Sequence, residues 1–334
     1  MDRLFKKISI ITTAVFMILL AYTWSNWAVA AESNDHLTYR LKWLFNASVV
    51  GDIYADVQKI FSNEGLEVTI KEGGPERDAI KELELGYAQF GIASADQVIR
   101  ALSKGSPIVV IAQLFQINPL QWIYRRTDPP IERLEDLKGR TIGITYGGND
   151  ETIMRTLLAK GKISYNEIKL FSVRYDYTPF YKRKVDIWPV YRNTQGIFIS
   201  EKLHKEGEEV AFFIPAEFGV KFVANSVVTS ERMMREHPKI VQRFIRALLR
   251  GWRESLDPAN EKKALETLQQ FDKDTSLHIL RKQLAVTRKL IKPKADIDIG
   301  SIDIEAWKQT EQIMLNQKQI PKPVFVEKVL KGKF

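Results

Sequence analysis

Apolar and polar residues alternate from 37 to 45, and this period of two predicts a strand with one buried face. After Asn46 the apolar residues recur at helical spacing up to Gly65, where we expect a helix to end. A second strand is predicted over 66–71, and further helices and strands follow over short connections. Alternation of strands and helices at this spacing predicts an α/β lobe with a largely parallel sheet.

The same patterns predict the remaining elements of this lobe and of a second one. Helices are predicted over 76–85, 95–103, 131–137 and 151–159, with strands over 89–93, 108–115, 141–145, 168–173, 185–191 and 221–229. The chain is almost wholly helical thereafter, over 238–255, 261–271, 276–291 and 304–317.

Pro129 and Pro130 stop any helix and predict a crossing into the second lobe. Roughly 300 residues follow the first thirty, more than a single core usually serves. We therefore predict a first lobe of residues 35–124 plus 222–334 and a second lobe of residues 125–221. A ligand would bind in the cleft between them, at the C-terminal ends of the strands.

Residues 1–30 have the three-part layout of a secretory signal. Basic residues precede an apolar run from Ile8 to about Ala21, and Ala28 and Ala30 stand at positions −3 and −1 of a cleavage point. Cleavage after Ala30 and release into the periplasm are the expectation. The alternative is an uncleaved anchor, because Trp24 and Trp27 extend the apolar segment toward the length of a membrane span.

Composition excludes several classes of function. The chain has no cysteine, which rules out disulfides, thiolate metal sites and a lipid-modified cysteine. Its net charge is +9, but lysine and arginine are scattered among nearly as many acids, so we predict no nucleic-acid partner. The four histidines are dispersed, and no metal site is predicted.

Short phrases follow one another along the chain in a characteristic order. They are Trp43, Asn46, GDIYA at 51–55, EGLEV at 64–68, GGP at 73–75, QFGIASAD at 89–96, LKGRTIG at 137–143 and VDIWPVY at 185–191. This set resembles the thiamine-pyrimidine (NMT/THI-like) branch of the ABC-type solute-binding proteins, which is related to the nitrate, sulfonate and taurine binders. The resemblance implies a two-lobed periplasmic binding protein fold of type II. Each lobe would be a mixed, mostly parallel sheet flanked by helices, and the C-terminal extension would be helical.

The resemblance also implies a function. The chain would be a monomeric, cofactor-free component of an ABC importer that captures a small organic solute by lobe closure and delivers it to a permease. The solute would be a heterocycle like a thiamine-pyrimidine precursor, or a sulfonate or nitrate compound. A periplasmic ligand-sensing module is an alternative.

A pyrimidine-forming enzyme is a further alternative, since eukaryotic relatives make the thiamine pyrimidine. Where those relatives carry a lysine and a histidine, this chain has Ala93 and Gln97, and residues 218–224 replace their cysteine cluster. A pyridoxal Schiff base requires a lysine amine, and iron requires soft or imidazole ligands. We therefore predict that the chain is not an enzyme.

Candidate ligand contacts follow the predicted strands. Trp43 could stack on a flat ring or pack in the core, and the amide of Asn46 could pair with ring atoms. Ser94, Asp96 and Gln97 open a helix, where they could meet the ligand or cap the helix.

A glycine-rich turn and a strand end complete the candidate site. Tyr146, Gly147, Gly148 and Asn149 would bring backbone amides to the ligand, although the acidic residues that follow could occupy those amides instead. At the end of the strand over 185–191, Trp188 and Tyr191 would face Trp43 across the cleft and Asp186 would accept from an amine. Pro189 breaks the ladder there, which favours a displayed Trp188.

Overall fold

The computed structural model describes residues 35–332. The predicted secretory signal lies outside this range. The ten strands within it are β1 Asp35–Arg40, β2 Leu66–Lys71, β3 Phe90–Ala93, β4 Ile108–Gln113, β5 Leu120–Arg125, β6 Thr141–Ile144, β7 Lys169–Ser172, β8 Trp188–Tyr191, β9 Val210–Phe213 and β10 Ser226–Ser230.

Twelve α-helices are described in the same range. They are α1 Val50–Val57, α2 Ile60–Asn63, α3 Ala79–Leu85, α4 Ala95–Ser103, α5 Asn149–Lys160, α6 Thr178–Tyr181, α7 Gln195–Lys205, α8 Glu231–Glu236, α9 Pro238–Leu256, α10 Glu261–Phe271, α11 Leu277–Ile291 and α12 Ile304–Asn316. None of the helices in residues 35–332 is long and apolar enough to cross a membrane.

The first sheet has the strand order β2-β1-β3-β10-β4. β1 and β3 are parallel, with Tyr39 opposite Phe90, whereas β10 runs antiparallel to both of its neighbours. All six residues of β4 are buried, as expected for a strand covered by helices on both faces.

The strands of the second lobe repeat this arrangement. β6 pairs parallel with β7, and β5 lies between β8 and β9, antiparallel to both. The two groups join where the N–H of Gly143 donates to the carbonyl of Ile187, at 2.8 Å. The resulting order, β7-β6-β8-β5-β9, matches that of the first sheet element for element, with β5 in the place of β10.

The chain passes between the sheets along two neighbouring segments. Leu114 N–H donates to the Asn225 carbonyl at 3.0 Å, and the side chain of Asn118 donates to the Phe222 carbonyl at 3.0 Å. These contacts hold the two crossings side by side, which is the arrangement of a two-strand hinge.

The pairing of β5 indicates where the second lobe begins. The predicted boundary at residue 124 assigns most of β5 to the first lobe, whereas its partners are β8 and β9. An extended segment before the prolines fits either sheet by pattern, and only its hydrogen bonds distinguish them. We therefore propose that the second lobe begins near Pro119, at the first crossing, rather than at Pro129 and Pro130.

The C-terminal helices cover the first sheet through close backbone packing. α9 lies against α1, and a Cβ placed on Gly251 would stand 2.6 Å from the Cβ of Ala55 and from the carbonyl oxygen of Gly51. A Cβ on Gly51 would in turn meet the indole of Trp252 at 2.2 Å. Glycine at both positions is required by the short distance between the helices.

The first strand is shorter than its pattern predicts. β1 ends at Arg40, and residues 41–46 leave the regular ladder as a series of bends. The N–H of Phe45 bonds the side chain of Glu72 at 2.9 Å, and Asn46 caps the following helical turn through the N–H of Ser48. The alternation of Trp43 and Phe45 therefore belongs to a loop, which brings Lys42 and Trp43 to the mouth of the cleft.

Candidate functional site

A cavity of about 200 Å³ lies between the two sheets. It is many times larger than the about 10–15 Å³ that one water molecule needs. Ile92 and Ala93 of β3 border it from the first lobe, and Trp188 and Val190 of β8 border it from the second. Its position at the C-terminal ends of strands from both lobes is where a fold of this kind binds its ligand.

A lysine from the first lobe reaches across this cavity to the second. Lys42 Nζ donates to Asn149 Oδ1 at 2.9 Å and to Tyr191 Oη at 3.1 Å. Tyr191 Oη then donates to Asn225 Oδ1 at 3.2 Å. The half-buried ammonium is therefore the centre of a polar relay that joins the lobes at the cavity wall.

Further contacts hold the lobes together beside the cavity. The buried amide of Asn193 donates to Ser48 Oγ at 3.0 Å and to Thr287 Oγ1 at 2.8 Å. At the surface, Lys282 Nζ bonds Glu201 at 2.5 Å. Both contacts join a helix or turn of one lobe to the other, so the described conformation is a closed one.

Aromatic side chains form two parts of the cavity wall. Trp43 borders it from the first lobe and packs against Tyr175, with ring centroids 5.2 Å apart. Trp188 borders it from the second, where Tyr177 meets its ring edge to face at 6.1 Å. Only 1% of Trp188 is exposed, because Phe180 also packs against it, so the indole is held in the core and offers one edge to the cavity.

The glycine-rich turn lines the cavity, but its amides are occupied. Gly147 has a φ of +78°, a conformation that favours glycine, and its N–H donates to Glu151 Oε2 at 2.7 Å. The N–H of Thr145 donates to Asp150 Oδ2 at 2.5 Å. The acids after the turn therefore take the place of an anionic ligand, which was the alternative considered for this segment.

Asp150 is a buried carboxyl beside this turn. Burial raises the pKa of Asp150 to about 6, and its backbone hydrogen bonds and the charge of Lys42 oppose that rise. The buried carboxyl of Asp150 and the ammonium of Lys42 therefore interact electrostatically at the cavity wall.

The structure brings most of the predicted contacts to one cavity. Nine of them line it: Trp43, Asn46, Gln97, Tyr146, Gly147, Gly148, Asn149, Trp188 and Tyr191. The side-chain oxygen of Asn46 accepts from the N–H of Ser48, so Asn46 also stabilises the loop.

Ser94, Asp96 and Asp186 are the predicted contacts that do not border the cavity. Ser94 starts α4, and both its N–H and its hydroxyl donate to Gln97 Oε1, at 3.2 and 3.0 Å. Asp96 is fully buried and lies 3.8 Å from Arg100, one helical turn on. Asp186 accepts from the N–H of Thr141 at 2.6 Å and so joins the strand end to β6.

Other residues of the cavity wall were not found from the sequence. They are polar or aromatic side chains in loops, among them Lys42, Arg77, Arg174, Tyr177, Gln195 and Asn225. Lys42 occupies a polar position in the alternation of the first strand, which gave no sign that a second lobe would approach it. Among residues 35–332 there is also no cluster of three or more metal-binding side chains.

The sequence of residues 46–261 matches the family model described as NMT1/THI5 like. The chain belongs to the NMT1/THI5-like family. This match covers more than half of the chain and includes the cavity-lining residues from Asn46 onward.

Two relatives are similar over nearly the whole chain. The riboflavin-binding protein RibY of Chloroflexus aurantiacus is 24% identical over 317 residues, which cover 91% of this chain and 87% of that protein. The formylaminopyrimidine-binding protein of Halalkalibacterium halodurans is 24% identical over 337 residues, covering 96% and 97%. Both are binding proteins, as predicted for this chain, and the prediction that it is not an enzyme is confirmed on this ground.

The fold is shared with solved structures of solute-binding proteins. The alkanesulfonate-binding protein SsuA from Xanthomonas axonopodis pv. citri, bound to MOPS, superposes with a TM-score of 0.69 at 16% identity, covering 89% of this chain and 98% of that one. The predicted fold class, a two-lobed periplasmic binding protein, is thereby confirmed. The family and the fold together support a binding role for this chain.

Proposed function

We propose that the chain is the periplasmic substrate-binding component of an ABC importer and that it captures a small flat organic ring by closing its lobes. The observation that carries this proposal is the cavity itself, whose wall comes from both lobes and which is crossed by the hydrogen bonds of Lys42. A ligand in such a cavity contacts both lobes only in the closed form. Binding therefore stabilises closure by the difference in contacts between the two forms.

The chemistry of the wall supports a flat ring as the ligand. Trp43 and Tyr177 present aromatic surface to the cavity from opposite lobes, and Trp188 borders it from the core of the second lobe. Aromatic surface of this kind stacks on heterocycles, and the neighbouring amides orient them through hydrogen bonds. The ligands named for the two similar binding proteins, riboflavin and a formylaminopyrimidine, are flat heterocycles too.

The ligand can be identified directly. The protein is purified without denaturation, then unfolded, and the released small molecules are analysed by mass spectrometry. We expect one flat heterocycle at close to one mole per mole of protein. Pro75→Trp serves as the control, because it fills the cavity from a loop and should abolish recovery of the compound. Equal recovery from both proteins would contradict capture in this cavity.

The transport role needs a separate test. A permease and an ATPase encoded beside this chain, together with uptake of the recovered compound that depends on this chain, are the expected result. Compound binding with no effect on uptake would contradict the importer role and favour a sensing module.

A further inference from the structure

Three amide side chains of the cavity wall have a fixed orientation, and the first is Asn149. A lysine ammonium can only donate hydrogen bonds. Because Lys42 Nζ contacts Asn149, the atom that meets it must be the oxygen, at 2.9 Å. The Nδ2 group of Asn149 then points the other way, is buried, and has no partner within residues 35–332.

The same donor orients Asn225 through a tyrosine. Tyr191 Oη accepts from Lys42 and donates its own proton to Asn225 Oδ1, 3.2 Å away. Nδ2 of Asn225 has no hydrogen bond to any other described residue. Only 4% of this residue is exposed, and it borders the cavity.

The orientation of Gln97 is fixed from its own helix. The backbone N–H of Ser94 can only donate, so the atom of Gln97 that it meets at 3.2 Å is the oxygen. Gln97 Nε2 is without a partner in the described part of the chain and belongs to the cavity wall. Gln97 therefore carries an unsatisfied NH₂ donor at the cavity wall.

Several acceptors of the wall are used by the protein itself. Gln195 Oε1 accepts from the N–H of Tyr191 and the hydroxyl of Thr194. Asp78 Oδ1 and Asp150 Oδ2 accept from backbone N–H groups at the starts of turns or helices. A ligand in the cavity therefore meets the unsatisfied donors of Gln97 and Asn225, together with the remaining hydrogen of the Lys42 ammonium, whereas Nδ2 of Asn149 is fully buried.

We propose that the cavity selects flat rings that carry carbonyl oxygens over rings of the same shape that carry amino groups. This inference rests on the proposed function and names the class of its ligand. An amino group facing Gln97 or Asn225 would set donor against donor and leave the amide NH₂ unsatisfied. A carbonyl oxygen in the same place accepts from these donors.

Thymine and 5-methylcytosine test this selection, because they have the same shape and differ in the C4 substituent, a carbonyl in thymine and an amino group in 5-methylcytosine, and in the hydrogen that thymine carries on the neighbouring N3. Isothermal titration calorimetry of the wild-type protein should give a dissociation constant at least about tenfold lower for thymine. Equal affinity, or tighter binding of 5-methylcytosine, would overturn the selection while leaving ring capture intact. Failure of both pyrimidines and of riboflavin to bind would contradict the proposed function as well.

Isosteric variants test which groups are responsible. Gln97→Glu and Asn225→Asp keep the oxygen that accepts the internal hydrogen bond and replace the NH₂ donor with an acceptor. Each should reduce the preference for thymine over 5-methylcytosine by about fivefold or more, with 5-methylcytosine binding improved. Gln312→Glu is the matched control, since Gln312 is exposed on α12 and contacts only Asn316. If neither cavity variant changes the preference, the assignment of donors is wrong.

Discussion

Replacing Lys42 with methionine keeps the length of the side chain but removes the ammonium that joins the lobes. The variant loses the bonds to Asn149 Oδ1 at 2.9 Å and to Tyr191 Oη at 3.1 Å. Both belong to the closed form, because Lys42 lies in the first lobe and its two partners lie in the second. The open form gives the same groups access to water, so the loss falls on closure.

The size of the effect can be worked from these contacts. A hydrogen bond to a charged group contributes about 1.5–3 kcal/mol net. Lys42 is half-buried and its two bonds share one ammonium, so we take the value of a single such bond for the pair. A loss of about 1.5–3 kcal/mol lowers the closed population, and with it the apparent ligand affinity, about tenfold to a hundredfold.

The assay is calorimetric titration of wild-type and Lys42→Met protein with the compound recovered from the native protein. Lys282→Met provides the matched control. Its ammonium also joins the lobes, through Glu201, but the two side chains are 46% and 28% exposed. An exposed pair contributes about 0–1 kcal/mol, so this control should change affinity less than about fivefold.

A Lys42→Met variant with affinity within about twofold of wild type would contradict this prediction. It would mean that the relay from Lys42 to Tyr191 and Asn225 does not stabilise the closed form. Equal losses of ligand affinity in Lys42→Met and Lys282→Met would also contradict the prediction, because the burial of Lys42 would then make no difference to its contribution.

Three further predictions concern stability. Burial raises the pKa of Asp52 to about 7, above the unfolded value of about 3.9, although Tyr39 donates to this carboxyl at 2.6 Å. The folded state thus binds the extra proton, so the free energy of unfolding should fall, on the order of 4 kcal/mol, as pH rises from about 4 to about 7. Asp52→Asn should make the free energy of unfolding less dependent on pH, as measured by urea titrations at several pH values. An unchanged pH dependence would contradict this prediction. Gly251→Ala should lower the free energy of unfolding by about 1–3 kcal/mol, because the added Cβ would collide with Ala55. Helix propensity alone would instead make this variant more stable. Trp188→Ala should lower the free energy of unfolding by about 3–5 kcal/mol, and a loss below about 1 kcal/mol would mean that Trp188 is not in the core.

The long helices followed from the sequence because their pattern is local. The predicted helix over 261–271 coincides with α10, and that over 95–103 coincides with α4. Each has an apolar face at helical spacing and polar residues at its start, so residues close together in the sequence are enough to predict the helix and its bounds. The strand over 66–71 was found for the same reason, since buried and exposed residues alternate at its start.

The first strand shows where local pattern fails. Trp43 and Phe45 continue the alternation, yet β1 ends at Arg40. A strand lasts only as long as it has a partner for its hydrogen bonds, and the side chain of Glu72, distant in sequence, takes the N–H of Phe45. The alternation of apolar and polar residues within the segment cannot predict that contact.

The candidate site was predicted by segment more successfully than by side chain. The turns that follow the strands do border the cavity, because the C-terminal ends of strands meet there in this architecture. Asp96 and Asp186 lie in those segments but turn toward Arg100 and the backbone of Thr141. Lys42 and Asn225 were missed because their roles depend on how the second lobe meets the first.

A crystal structure of the protein with its recovered compound would test capture between the lobes most directly. We predict density for a flat ring in the cavity, in contact with Trp43 of the first lobe and Trp188 of the second. Carbonyl oxygens of the ring should lie within hydrogen-bond distance of the amide nitrogens of Gln97 and Asn225. A compound bound outside this cavity, or in contact with one lobe only, would contradict capture between the lobes.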